Sequence, residues 1–246
     1  MGTGHEPSRP VHLNAAIWQV PLPMGHAYLA RRLDGFAVVD TGVPGSGPAI
    51  LDAVAQLGGQ PEDLRQIVLT HSHGDHMGSA ADLAAATGAP VFAGAADAPV
   101  IRGDTPDTFR PLTESERALI ASFPPRPAGV EPVPLRHVPV NVELHEGDSL
   151  DGWTEPVEVL HVPGHTPGSI AIYLPSSRVL FSGDTVIVRD GRVMLGPFSL
   201  DRDQAIASFH RLAAEDVDTL CVPHGDPIRH DAQTALRAAT PERDWL

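Results

Sequence analysis

Between Thr70 and His76 the chain reads Thr70-His71-Ser72-His73-Gly74-Asp75-His76, which packs three imidazoles and one carboxylate into six consecutive positions. Neutral imidazole and carboxylate are donor types that suit zinc, iron or manganese. Three further candidates follow in separate turns: His165 in Pro163-Gly164-His165-Thr166-Pro167-Gly168, Asp184 in Phe181-Ser182-Gly183-Asp184-Thr185, and His224 in Val222-Pro223-His224-Gly225-Asp226. Seven donors exceed the needs of one four-coordinate zinc and suit two ions sharing a carboxylate. A dinuclear metal site is the leading expectation. The competing reading is a polar loop with coincidental histidines, and the downstream set argues against it. Taken singly, His165 and His224 could be core or capping residues and Asp184 a turn residue. His5, His12, His137, His145, His161, His210 and His230 read as surface or packing histidines. His26 is set apart because it lies near the first strand and could line the mouth of a site.

Such a set works only if distant segments converge. Ala27–Ala30 and Phe36–Val39 are short apolar runs around an Asp34-Gly35 turn signal. A helix is predicted over Pro48–Leu57, with Ile50, Leu51, Val54 and Leu57 at helical spacing and Gly58-Gly59 as its stop. Gln66–Leu69 reads as a buried strand running into the histidine cluster, followed by a helix over Ser79–Ala86 that Gly88 closes and a strand over Val91–Ala93. From about 97 to 137 prolines recur at 99, 106, 111, 124, 125, 127, 132 and 134. That texture predicts an irregular excursion serving as a lid, an interface or a packing insertion. Within it Thr113-Glu114-Ser115-Glu116 resembles a capping box opening a helix through Phe123.

Strands return over Val157–Leu160, Ile170–Leu174, Arg178–Phe181 and Thr219–Val222, with helices over Asp203–Glu215 and Ala232–Ala239. His71 and His165 each follow a strand, while Asp184 and His224 each end one. Four strand ends carrying metal-binding side chains imply that those ends meet at one edge of a sheet assembly. Trp18 and Phe198 are candidates for substrate contact or, more simply, for packing. Met77 and Cys221 read as packing residues.

The 246 residues fit a single α/β (α+β) domain, and 42% hydrophobic with 20% charged residues is ordinary for a globular protein. A formal net charge of -14 with no basic stripe argues against nucleic acid as a partner. One cysteine excludes an intrachain disulfide and suits a reducing compartment. Met1–Pro7 lacks a basic stretch followed by an apolar run, and no segment approaches the roughly 20 apolar residues of a membrane span. A cytoplasmic protein with no membrane partner is expected, its oligomeric state open.

In their order, these residues resemble the signature of the metallo-β-lactamase superfamily: His-x-His-x-Asp-His, then a distant His, an Asp and a final His. The likeness runs from Val38-Val39-Asp40-Thr41-Gly42 to His224. It implies a four-layer αββα sandwich with a site along one edge. It also implies that His71, His73 and His165 hold one ion, that Asp75, His76 and His224 hold the other, and that Asp184 bridges. Antibiotic-hydrolysing members place cysteine or serine where Asp184 stands, which disfavours a true β-lactamase. The hydroxyacylglutathione-hydrolase branch is similar at Thr70–His76 and Gly183–Thr185 but carries a helical C-terminal extension with basic contacts, whereas a short tail follows His224. Acyl-homoserine lactonases often present a tyrosine after the bridging aspartate, where this chain has Val186-Ile187-Val188.

The expected activity is hydrolysis of a small ester, thioester or lactone by a hydroxide bridging two divalent ions, zinc first, with iron or manganese as alternatives. Asp75 is the candidate to steer the nucleophile and shuttle its proton. Asp40 is the candidate outer partner of a ligating imidazole, against a plain turn-forming role. Two other classes are carried: a mononuclear iron oxygenase of the persulfide dioxygenase type, and a metal-dependent biosynthetic enzyme or binding module.

Overall fold

The computed structural model describes residues 9–14, 16–124 and 131–246; His5, the Met1–Pro7 segment and the prolines at 125 and 127 lie outside them. The first part of the chain forms β1 (Val11–Asn14), β2 (Ile17–Leu22), β3 (Gly25–Arg32), β4 (Gly35–Val39), α1 (Gly47–Gln56), β5 (Leu64–Leu69), α2 (Gly74–Met77), α3 (Ala80–Thr87) and β6 (Val91–Gly94). The excursion holds α4 (Ala98–Arg102) and α5 (Glu114–Ser122). Then come β7 (Val142–Leu144), β8 (Glu158–His161), β9 (Ile170–Leu174), β10 (Val179–Phe181), β11 (Val186–Arg189), β12 (Arg192–Leu195), α6 (Arg202–Ala214), β13 (Thr219–Cys221) and α7 (Ala232–Ala238).

β1 to β7 form a seven-stranded sheet in sequence order, antiparallel as far as β4 and parallel from β4 to β7. A second sheet has the order β13-β10-β9-β8, and β11 pairs with β12 as a separate ribbon. The period-2 alternation of strand side chains sorts these sheets into layers. On β4, Phe36 and Val38 join Ile50, Val54 and Leu83 of α1 and α3, while Ala37 and Val39 face the other way. On β9, Ile170, Ile172 and Leu174 meet Val39 and Val68 of the first sheet, while Ala171 and Tyr173 share a core with Phe209, Leu212 and Leu236 of α6 and α7. The order is helices, sheet, sheet, helices, the expected αββα sandwich.

The helix signals are physical rather than statistical. Gly88 closes α3 in the left-handed conformation at φ 72°. Thr113 and Glu116 form the reciprocal capping box of α5, and Asp201 caps α6 by accepting from the Gln204 amide at 3.0 Å. Six elements go beyond the sequence expectation: β1, β2, α2, β7, α4 and the β11–β12 ribbon. The ribbon turns on Asp190-Gly191, both at positive φ (50° and 73°), which is the two-residue hairpin chemistry of a primed turn. Among the described residues no helix is long and apolar enough to cross a membrane.

Candidate metal centre

The site is assembled at the C-terminal ends of β4, β5, β6, β8, β10 and β13. β4 ends in Asp40, whose φ of 59° places a non-glycine residue in the left-handed region, where aspartate is tolerated. Its carboxylate accepts from the Thr70 amide (2.8 Å) and the Thr70 hydroxyl (2.8 Å), and His76 donates to it through Nδ1 at 2.9 Å. Because Thr70 gives its proton to the bond with Asp40, its oxygen is free to accept from His71 Nδ1 at 3.1 Å. One buried carboxylate thus engages the Nδ1 side of both rings, directly at His76 and through Thr70 at His71, leaving their Nε2 atoms turned inward. Asp40 stands directly behind His76 and, through Thr70, behind His71.

All seven predicted donors come together. Ligand atoms of His71, His73 and His165 lie within 4.8 Å of one another, as do those of Asp75, His76 and His224, and those of His71, His76 and Asp184. Asp184, in a short 3-10 turn over Gly183–Thr185, sits between the two outer triads. Its Oδ2 lies 3.5 Å from His165 Nε2, while its Oδ1 lies 3.5 Å from His76 Nε2 and 3.4 Å from His224 Nε2. Asp75 Oδ2 is 3.4 Å from His224 Nε2 and 3.7 Å from His76 Nε2.

These separations are long for hydrogen bonds and close to the spacing of about 3.3 Å between two donors that each lie ~2.0 Å from a tetrahedral ion. His165 Nε2 and His73 Nδ1 are nearer, at 2.9 Å. His71 Nε2, His76 Nε2 and Asp184 Oδ1 are buried with no hydrogen-bond partner, a costly state for polar atoms that a bound cation relieves. The residues fit divalent ions.

Electrostatics of the ion-free cluster divide along the same line. Burial pushes His71 well below the ordinary imidazole value, with the neighbouring imidazoles adding to it, and brings His165 down to about 3. Burial also opposes protonation of His76 and His224, yet Asp184 and Asp75 outweigh it, holding His76 well above its usual value and His224 up at about 10. Asp75 falls to about 2 against the burial effect, drawn down by His76 and His224. Burial thus favours the neutral ring at His71 and His165, whereas the carboxylates favour the charged ring at His76 and His224.

A model of the metallo-β-lactamase superfamily matches residues 20–224, spanning every donor described above. The chain belongs to that superfamily. A probable metallo-hydrolase of Bacillus subtilis, YflN, is 28% identical over 246 residues, covering 92% of this chain and 88% of that protein. A hydroxyacylglutathione hydrolase of Cereibacter sphaeroides is 32% identical over 210 residues, covering 85% of this chain and 63% of its own length. Among solved structures, the metallo-β-lactamase MIM-1 from Novosphingobium pentaromativorans superposes with a TM-score of 0.66 at 27% identity, covering 90% of this chain and 79% of that one. A metallo-β-lactamase family protein from Thermus thermophilus reaches 0.69 at 24% identity, covering 92% and 78% respectively, a likeness of fold.

Of the weaker candidates, Trp18 packs against Phe36 and Arg31 on the helix-covered face of the first sheet, not in the cluster. Phe198 stands at φ 65° and donates its amide to Glu116. His26 donates its backbone amide to Pro223, next to His224, so the first sheet does reach the site there. Val133 and Leu135, both exposed, line the return of the excursion beside Gly45 and Gly74. Two polar residues behind the donors escape the sequence reading: Thr70, described above, and Asp97, which accepts from Ser72, Thr166 and Gly168. Asp97 follows β6 as the apparent cap of α4, and only the folded chain shows its carboxylate turned elsewhere.

Proposed function

We propose that this member of the superfamily is a dinuclear metallohydrolase acting on a small ester, thioester or lactone. The observation that carries the reading is the placement of Asp184, one oxygen toward each donor triad. His71, His73 and His165 would hold one ion, Asp75, His76 and His224 the second, and Asp184 both. When bound, zinc or a similar divalent ion supplies Lewis acidity for a carbonyl and a water acidic enough to furnish a nucleophile near neutral pH.

The chain's own residues divide the remaining work. Asp75 is 30% exposed, the reachable carboxylate of the cluster, and takes the role of orienting the nucleophile and passing its proton on. Asp40 and Thr70 hold His71 and His76 in the tautomers that ligation requires. Val133 and Leu135 offer an apolar rim beside Gly45 and Gly74 for the non-reacting part of a substrate. An acyl substrate is favoured by the relatives named as hydroxyacylglutathione hydrolases.

The test is elemental mass spectrometry on protein purified without added metal or chelator, followed by a panel of esters, thioesters and lactones. About two zincs per chain with turnover of a panel member is the expected result. Two zincs with no turnover anywhere in the panel overturns the substrate class. A single iron with oxygen uptake overturns the hydrolase in favour of an oxygenase.

A further inference from the structure

Asp97 lies on none of the strand ends that supply donors, yet its carboxylate is 1% exposed and fully engaged. Oδ2 accepts from the Ser72 amide at 2.9 Å and the Thr166 hydroxyl at 2.6 Å, and Oδ1 accepts from the Gly168 amide at 2.7 Å. Ser72 separates His71 from His73, and Thr166 follows His165. Among the described residues, the three donors therefore all come from the two loops that carry the imidazole triad. Thr166 is itself held by Ser169, whose hydroxyl lies 2.7 Å from its own.

The fit around this carboxylate is close. A Cβ on Gly168 would fall 2.2 Å from the Asp97 nitrogen, and one on Gly94 would fall 2.0 Å from the Gly168 oxygen. Only glycine lets the β6 end and the His165 turn approach so far. The strand ends have their own tie, from the Ile170 amide to the Thr70 carbonyl at 2.9 Å. Beyond that bond and the 2.9 Å approach of His165 Nε2 to His73 Nδ1, the backbones of the two loop tips are joined through Asp97.

We propose that Asp97 is a positioning residue for the His71–His73–His165 ion site, setting the distance between the two loops that carry its ligands. The inference rests on the ligand assignment under the proposed function. An Asp97→Asn side chain keeps the shape but presents an amide donor to at least one amide or hydroxyl donor, so one loop loses its anchor. The other triad, on α2 and the turn after β13, has no bond to Asp97.

The experiment is competitive titration of metal-free protein with Zn2+ against a chelator, alongside visible spectra of the Co2+ form. The wild type should show two ions. Asp97→Asn should lose about 10- to 100-fold in affinity for one ion and keep the other within about threefold, with a changed cobalt spectrum for the weakened ion. Leu236→Ala, which opens the buried core under α7, serves as the comparison for plain destabilisation and should leave both affinities in place. Equal losses at both ions, or none, would overturn the proposal. If Asp97→Asn does not fold, Thr166→Val removes a single leg and must weaken the same single ion; unchanged affinities there overturn it as well. A wild type that takes up no ions sinks the ligand assignment and this inference together, whereas two wild-type ions with unaltered variants sink the inference alone.

Discussion

Replacing Glu116 with Gln should loosen the excursion from the body of the protein. Glu116 is 1% exposed and accepts from both terminal guanidinium nitrogens of Arg110 (2.9 and 2.5 Å), from the Thr113 amide (2.9 Å) and from the Phe198 amide (2.7 Å). Arg110 in turn donates to Ser199 at 2.5 Å, and the next amide, Leu200, donates to the His165 carbonyl at 3.1 Å. A glutamine keeps one acceptor oxygen but turns an amide toward a donor, and it leaves the guanidinium without its counter-charge. Breaking a fully buried pair costs about 3–5 kcal/mol. Arg110 is 25% exposed and keeps its bond to Ser199, so about 2–3 kcal/mol is the better figure. In hydrogen exchange that is a roughly 30- to 150-fold loss of protection for the amides of α5.

The pH dependence has a definite sign. Burial alone would raise the carboxyl, but bonds from Arg110, Thr113 and Phe198 outweigh it and hold Glu116 below the usual glutamate range. A group depressed in the folded state contributes stability that is whole above its unfolded value of about 4.3 and is lost as pH falls through the folded value. The gap between wild type and Glu116→Gln should therefore be full at pH 7 and shrink near pH 3. Equal protection at pH 7, or a gap that stays constant down to pH 3, refutes the anchoring role.

Three further outcomes follow from the same geometry. Asp184→Asn removes the charge facing both triads, so metal content should fall below two per chain and turnover by about 100-fold or more; retention of two ions by elemental analysis would count against a shared carboxylate. Because Asp184 and Asp75 raise both His76 and His224 against burial, with His224 up at about 10, an ion must displace the proton that His224 holds at neutral pH. Affinity should then rise with pH through neutrality, and calorimetry in buffers of different ionisation enthalpy should show proton release on binding at pH 7; a heat independent of buffer contradicts this. Burial in β13 pushes the Cys221 thiol well up, so thiol reagents should label it only in denaturant, and stoichiometric labelling of the native protein would be inconsistent with the sheet-to-sheet core.

The donors were legible because chemistry and sequence proximity coincide: four of the seven sit between His71 and His76, and the rest stand in turns that strand signals already flank. The residues behind them were not legible, for a reason of geometry. Asp97 stands in Ala95-Ala96-Asp97-Ala98-Pro99, at the start of the stretch expected to be irregular, and it occupies the N-cap position of α4 without capping it. Its side chain instead serves amides and a hydroxyl from positions 72, 166 and 168, brought together by the parallel pairing of β5 with β6 and by packing of the two sheets. Layering was hidden in the same way. All five residues of β9 are buried, so the run Ile170–Leu174 shows no polar alternation to say which side faces which neighbour. Only the β11–β12 ribbon was readable in hindsight, from Asp190-Gly191 between two apolar runs.

Stripping the metal should leave this fold standing. In a small zinc module the ligands have no scaffold without the ion, and chelation unfolds the chain. Here the donors are carried by strand ends whose neighbours belong to the packed apolar layers: Leu69 before the Thr70–His76 loop, Phe181 before Asp184, Cys221 and Val222 before His224. His71 and His76 keep their outer partners through Thr70 and Asp40 whether or not an ion is present. What the ion adds is linkage, about 4 kcal/mol when its free concentration is 1,000 times the dissociation constant. For a chain of this size that is a shift of roughly 8–16 °C in melting temperature. Circular dichroism after chelation should thus show an unchanged far-ultraviolet spectrum at 25 °C and a cooperative melt at lower temperature. Loss of that spectrum at 25 °C would mean that the ions hold the strand ends together, and that the sandwich alone does not.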